Sequence, residues 1–344
     1  MRAAFIPSAE RLDVADATLR ERAGDEAVIA VAACGICGSN LHEWRDPEQG
    51  ITSEILPGAG GHELSGRVAA AAADGSGPDV GERVTVEPNR VRGCGACSAC
   101  RDGSAWFCSA PRTVGGWGFA ERMVVPSGAL FAVPDGVSDD AATLTEPLAC
   151  GVHALRSSHL AATAGLDGTR IAVIGAGVAG LLTVAAARHL GAATVAAVAR
   201  HPHQAAAAAT VGADVVIPAG DEGVADQLKR VRADLVVEAV GSGDTLDLAM
   251  RGVVAQGEVA VLGLFDTSPR LNTRRASFRE LRLSFPLTYG VRDGVHDFEI
   301  ALDILAAGDF DHLITHRYRL DEVGAAFAFA ADKSVGALRV VVAP

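Results

Sequence analysis

The chain has 344 residues, of which 49% are hydrophobic and 21% charged, and its formal net charge is −12. That length is too great for one small core and points to two domains. The acidic balance argues against general binding to nucleic acid or to an anionic membrane, since both require basic surface. Seven cysteines, an odd number and partly clustered, fit metal thiolates in a reducing compartment better than a disulfide framework. The N-terminal MRAAFIPSAERLD has no long apolar core of the secretory type, and no apolar run reaches the length of a spanning helix. A cytoplasmic protein without a membrane span is the expectation.

Up to about Gly136 the sequence predicts short strands separated by turns, with β-type runs at 28–33, 64–70, 83–87 and 121–125. The first run leads into Cys34-Gly35-Ile36-Cys37-Gly38-Ser39-Asn40-Leu41-His42, which reads as a strand-to-helix turn, and Gly61-His62-Glu63 precedes the second. Cys37 and His62, with a carboxylate and a water, would make a mixed zinc site with an exchangeable position. Further on, Cys94, Cys97, Cys100 and Cys108 form C-x2-C-x2-C-x7-C in a glycine-rich stretch. Short hops of this kind let one loop wrap a tetrahedral ion, and four thiolates leave no open position, so this second site should be structural. Thr145-Glu146-Pro147-Leu148-Ala149-Cys150 then falls at the boundary between the two halves.

From about Ala149 to Thr288 strands and helices alternate, which predicts a doubly wound parallel sheet of α/β type. The apolar run 171–174 is followed by Gly175-Ala176-Gly177-Val178-Ala179-Gly180 and a helix reaching Leu190, with further strands at 194–198, 215–217, 235–239 and 259–262. G-x-G-x-x-G between strand and helix is the context of a dinucleotide site: a tight turn, a close approach to the pyrophosphate, and close packing of helix on sheet. The second strand of such a unit carries an acid at its end when the ribose 2′-hydroxyl is to be held. Here Ala199 stands at that position, followed by Arg200 and His201. Loss of the carboxylate and gain of an arginine favour NADP over NAD. Beyond Tyr289 the sequence predicts helices at 297–307 and 321–331 and a closing strand at 338–342.

Taken together, Cys34–His42, Gly61–Glu63, Val80–Val84, the Cys94–Cys108 loop, Gly118–Glu121 and Glu146–Ala149 resemble the zinc-dependent medium-chain dehydrogenases/reductases of the alcohol, sorbitol and threonine dehydrogenase type, over nearly the whole chain. The resemblance implies a GroES-like β-rich catalytic domain over 1–148, a Rossmann domain over 149–288, and a segment 289–344 that returns to the catalytic domain. It implies two zinc ions per chain. Cys37 and His62 would hold the catalytic one, and Glu63 would bind it directly or approach it during ligand exchange. Glu146 stands where the alcohol dehydrogenase branch has cysteine and the polyol branch glutamate. Cys34 and Cys150 are read as non-ligands. Zinc would act as a Lewis acid on an alcohol or carbonyl oxygen during hydride exchange with NADP(H). Ser39 would pass on the alcohol proton and His42 would exchange it with solvent, although a serine in such a turn also serves as a helix cap. Cofactor contacts are expected at Gly175, Gly177, Val178, Ala179, Gly180, Ala199, Arg200, His201 and Leu264. Trp44, Trp117, Phe265 and Tyr289 are expected around the substrate.

One departure stands out. The family usually has aspartate where this chain has Asn40, as a partner that fixes the ligand histidine and raises its basicity. Asparagine can accept a hydrogen bond from the ring through its amide oxygen but brings no charge, which predicts a more electrophilic zinc or weaker metal retention. The substrate class implied is a secondary alcohol or its ketone: a polyol, a cyclitol, an amino alcohol or a specialised biosynthetic intermediate. The family also implies a homo-oligomer, tetramer ahead of dimer. A zinc-independent quinone or enone reductase of the same fold, and a non-enzymatic NADPH-binding regulator, are the competing readings.

Overall fold

The strand Glu26–Gly35 is the axis of the first unit; its burial is nearly continuous and both of its edges are paired. Glu63–Ala70 runs antiparallel along one edge; Arg122–Pro126 and then Arg339–Ala343 cover the other. The computed structural model describes residues 1–47, 57–112, 114, 116–220 and 223–344. It divides into two compact units, residues 1–146 with 305–344, and residues 147–304.

In the first unit a seven-stranded sheet runs in the order Ile314–Arg319, Arg339–Ala343, Glu26–Gly35, Glu63–Ala70, Arg83–Val86, Leu130–Ala132, with Arg122–Pro126 paired to Glu26–Gly35 off this path. Ile29, Leu64, Phe119 and Met123 fill its buried face, and the helix Val323–Ala331 closes over them. Phe327 meets Phe119 edge-on with centroids 5.3 Å apart, a favoured aromatic geometry. The register sets Gly35 opposite Glu63 on one side and Val341 on the other. Three segments distant in sequence therefore meet where the strand ends. Two elements carried too little pattern to be foreseen. The hairpin Arg2–Ser8 with Arg11–Asp16 turns through Glu10 at φ 57° without a glycine, and Ile314–Arg319 alternates half-buried Ile314, His316 and Tyr318 with exposed Thr315, Arg317 and Arg319 at an edge.

The second unit is the parallel sheet that the alternating sequence predicts. Its six strands lie in the order Val215–Pro218, Thr194–Ala199, Arg170–Ile174, Ala233–Glu238, Val253–Val261, Arg282–Ser284. All pairings are parallel. Arg170–Ile174 and Thr194–Ala199, inside the sheet, read as near-continuous buried apolar runs, as strands covered on both faces do. The order in which the chain adds strands reverses beside Arg170–Ile174, and open sheets of this kind bind ligands at the carboxyl ends of the strands there. Arg282–Ser284 escapes a sequence reading because it is short and begins on a charge. Among the described residues no helix is long and apolar enough to cross a membrane.

Candidate metal centres and dinucleotide turn

Cys37 caps the helix Gly38–Arg45, so its thiol lies where the strand Glu26–Gly35 turns into that helix. The facing loop is forced into a left-handed path: Gly58, Ala59 and Gly60 have φ of 91°, 43° and 69°. Close approach explains the glycines, since a Cβ at Gly58 would lie 2.0 Å from the Trp117 carbonyl oxygen and one at Gly61 2.7 Å from the Phe119 nitrogen. This path gives the Gly60 carbonyl two donors. It accepts from His62 Nδ1 at 2.7 Å and from Asn40 Nδ2 at 3.0 Å. With Nδ1 engaged, His62 presents Nε2, and Ser39 Oγ lies 3.4 Å from that atom. One donor atom each from Cys37, His62 and Glu63 lies within 4.8 Å of the others. Thiolate, imidazole and carboxylate are the donor set of a zinc site. Burial opposes charge on the His62 ring, but its hydrogen bond and electrostatic attraction to Cys37, with the charges of Glu146 and Glu63, outweigh it and raise the ring to about 10. Negative charge so concentrated around an imidazole suits a divalent cation.

Glu63 is not free to turn. Arg339, from the closing strand, donates through Nη1 to Glu63 Oε2 and to the Ile36 carbonyl, the latter at 3.0 Å. Both side chains are almost fully buried, at 3% and 2% exposure. Gly35 makes room for them, since a Cβ there would lie 2.9 Å from both Arg339 Nη1 and Glu63 Oε2. Arg339 was not foreseen; its signal is one arginine in an otherwise apolar closing strand. Glu146, in the first turn of Thr145–Arg156, stands outside the three-residue cluster although its charge reaches His62. Cys150 lies on the same helix. Cys34 is wholly buried in the hydrophobic core, its thiol pushed well up by burial and by Glu63, and it joins neither cluster. Ser39 is not the helix cap, because Cys37 is; it occupies the second helical position, and His42 lies exposed one turn further on.

Cys94, Cys97, Cys100 and Cys108 come together as a second cluster. Their sulfurs approach at 4.0 Å for Cys94–Cys100 and 3.9 Å for Cys97–Cys108. Four thiolates about 2.3 Å from a tetrahedral zinc would stand about 3.8 Å apart, so the set fits zinc and is too open for disulfides. Backbone N–H groups of Ala96 and Cys97 point at Cys94 Sγ, at 3.4 and 3.3 Å. The N–H groups of Cys100 and Ser109 pull Cys97 down to about 6, while burial pushes Cys100 up to about 12.

In the second unit each glycine of the dinucleotide turn has its own reason. Gly175 has φ 102°, and Gly177, the cap of Val178–His189, has no heavy atom within 4 Å of where a Cβ would sit. A Cβ at Gly180 would lie 1.8 Å from the Gly175 carbonyl oxygen. Turn, open approach and close packing are the requirements of a pyrophosphate cradle, so the residues fit a dinucleotide. Ala199 is buried at the end of its strand, Arg200 is exposed, and His201 caps the next helix with its ring parallel to His203 at 5.4 Å. Glu238 was missed. Buried at the end of Ala233–Glu238, it accepts from the N–H groups of Val240 and Gly241 at 2.8 and 3.0 Å and fixes the turn beside Gly175. Its only signal is an acid ending an apolar strand.

Most of the residues expected around the substrate are buried. Trp44 and Trp117 are 8% and 6% exposed and belong to the first unit's core, with Trp44 edge-on to Phe327. Tyr289 is buried against Phe298 in the second unit. Phe265 packs on the core of that unit, whereas Leu264 is exposed.

The family model described as "Alcohol dehydrogenase GroES-like domain" matches residues 23–135, and "Zinc-binding dehydrogenase" matches 178–307. The chain is 30% identical to (R,R)-butanediol dehydrogenase of Bacillus subtilis (strain 168), covering 92% of each sequence. It is 29% identical to sorbitol dehydrogenase of the same organism, over 100% of this chain and 97% of that protein. The NADP complex of a zinc-binding dehydrogenase from Sinorhizobium meliloti 1021 superposes with a TM-score of 0.86 at 28% identity, over 100% of this chain and 99% of that one. A GroES-like unit with two zinc-type donor clusters and a Rossmann unit with an intact glycine turn thus agree with kinship along the whole length: the chain belongs to the zinc-type medium-chain dehydrogenases.

Proposed function

We propose that the protein is a zinc-dependent oxidoreductase that exchanges a hydride between NADP(H) and a secondary alcohol or its ketone. The observation that carries this reading is the contrast between the donor sets: one all thiolate and closed, the other mixed, with its carboxylate held by an arginine. Cys37 and His62 would hold a catalytic zinc, with Glu63 and Glu146 as the available carboxylates, and Cys94, Cys97, Cys100 and Cys108 a structural one. When bound, the catalytic zinc supplies Lewis acidity to the substrate oxygen, and the nicotinamide supplies or accepts the hydride.

The chain's own residues do the rest. The Gly60 carbonyl holds the His62 ring so that Nε2 points to the cluster. Ser39, 3.4 Å from that nitrogen, is within reach of a substrate hydroxyl bound there and would take its proton. His42, exposed on the same helix, would return that proton to water. Gly175, Gly177 and Gly180, with the backbone of Val178 and Ala179, would receive the pyrophosphate. Ala199 and Arg200 favour a 2′-phosphate over a free 2′-hydroxyl, with His201 beside them and Leu264 toward the nicotinamide end. A polyol or diol substrate agrees with the names of the sorbitol and butanediol relatives.

The test is a panel of secondary alcohols and ketones followed by NAD(P)H absorbance, with zinc measured on the same sample. Turnover with NADP and two zincs per chain are expected. One zinc per chain would remove the catalytic half of the proposal, and preference for NAD would remove the role given to Arg200.

A further inference from the structure

Asn40 is 1% exposed and both ends of its amide are engaged. Oδ1 accepts from the backbone N–H of Cys37 at 3.0 Å, and Nδ2 donates to the Gly60 carbonyl at 3.0 Å. The assignment of oxygen and nitrogen is forced, because one partner can only donate and the other can only accept. Neither bond is to the His62 ring. The partner of His62 Nδ1 is the same Gly60 carbonyl. The expectation that Asn40 accepts a hydrogen bond from the histidine is therefore replaced by a different arrangement, in which one amide joins the backbone beside the first ligand to the carbonyl that orients the second.

We propose that Asn40 is a positioning residue for the Cys37–His62 metal site, and that this chain requires the amide, so that the aspartate usual in the family would weaken metal retention here. The inference rests on the zinc reading above. A carboxylate at position 40 could still accept from the Cys37 N–H. Its other oxygen would face the Gly60 carbonyl at hydrogen-bonding distance with no hydrogen between them, two acceptors opposed in a buried space. The loop can relieve this only at a cost, because Gly58, Ala59 and Gly60 are held left-handed and Gly58 and Gly61 abut backbone atoms. The carbonyl would shift, and the His62 ring it holds would shift with it. Polar partners that orient a metal ligand typically govern about 10–100-fold in metal affinity.

The experiment follows zinc loss from the holoenzyme to a chelating dye, for the parent, Asn40→Asp and Asn40→Ala. Two phases are expected in the parent, and Cys37→Ser identifies the one that belongs to the Cys37–His62 site. Both Asn40 variants should lose that zinc about 10–100-fold faster, with the four-cysteine phase unchanged. The visible spectrum of the cobalt-exchanged protein should also change in the Asn40 variants, a signature that a fault elsewhere in the fold would not produce. Should Asn40→Asp not fold, Asn40→Ala and the cobalt spectrum decide. Asn40→Asp holding zinc as long as the parent or longer would overturn the proposal, as would an unaffected Asn40→Ala. A parent that shows only the four-cysteine phase would instead defeat the zinc reading on which the proposal stands.

Discussion

The four-cysteine lobe draws every donor from residues 94–108 and holds them with N–H groups of the same loop. The Cys37–His62–Glu63 cluster joins a helix cap, a left-handed loop and a strand end, and is braced by an arginine 276 residues away in sequence. With zinc bound in the lobe as proposed, the order of the loop and the order of the donors would be one event, as in small zinc modules whose metal binding is also their folding. In the other cluster the donors stand on elements that the sheet pairings and the core already hold. A locally built site should therefore repay metal loss in stability, and a distributed one in chemistry.

Cys37→Ser tests the distributed site most severely. It should lower kcat/KM by roughly a thousand-fold or more, about 4 kcal/mol of lost transition-state stabilisation. One zinc per chain should remain, and the melting temperature should stay near the parent's, because no core contact is removed. A large fall in melting temperature together with activity would show that the two sites are not separable in this way.

Arg339→Ala attacks the brace. Breaking a buried ion pair from one side leaves the other charge unpaired and costs about 3–5 kcal/mol. Denaturant unfolding should show this loss, and Arg339→Met combined with Glu63→Gln should recover much of it by removing both charges. If the double variant is as unstable as Arg339→Ala, the arginine matters for packing and not for the Glu63 charge.

Cys97→Ser tests the lobe. Loss of one zinc per chain and a fall in melting temperature of roughly 5–10 °C are expected, at about 2–4 °C per kcal/mol for a domain of this size. Activity should persist below the new transition. Unchanged melting would mean that the lobe folds without its metal.

How far each site was legible in the sequence follows from the same contrast. C-x2-C-x2-C-x7-C can be read without knowing the fold, because its spacing is its geometry. The glycine turn is equally local, and the long apolar strands and the helices at Val178–His189 and Asp297–Ala307 follow from pattern alone. Cys37 and His62 were legible only through the family motif, since nothing in the spacing of two residues twenty-five apart brings them together. Arg339 and Glu238 were invisible: Arg339 is one charge in an apolar strand whose partner Glu63 is brought to it by sheet register, and Glu238 ends its strand facing N–H groups that only the folded turn presents. The identity of Asn40 is legible in the sequence, but its partners, the Cys37 N–H and the Gly60 carbonyl, are not. The left-handed path of Gly58–Gly60 sends a carbonyl where a side chain was expected, and that path is a property of the folded loop.

The smallest expected effect belongs to Cys34, which shares C-x2-C spacing with Cys37 and could be mistaken for a ligand or a redox partner. Its thiol has no access to solvent, lies in the hydrophobic core and belongs to neither donor cluster. The backbone of the facing loops is fitted around it, since a Cβ at Gly61 or Gly118 would come within 2.8 or 3.0 Å of its sulfur. Cys34→Ala should therefore act as a small packing defect, costing about 1 kcal/mol, with the zinc count and kcat unchanged. Loss of a zinc on that substitution would place a second cysteine in the distributed site, and the separation between a locally built and a distributed metal centre would have to be redrawn around the strand that carries it.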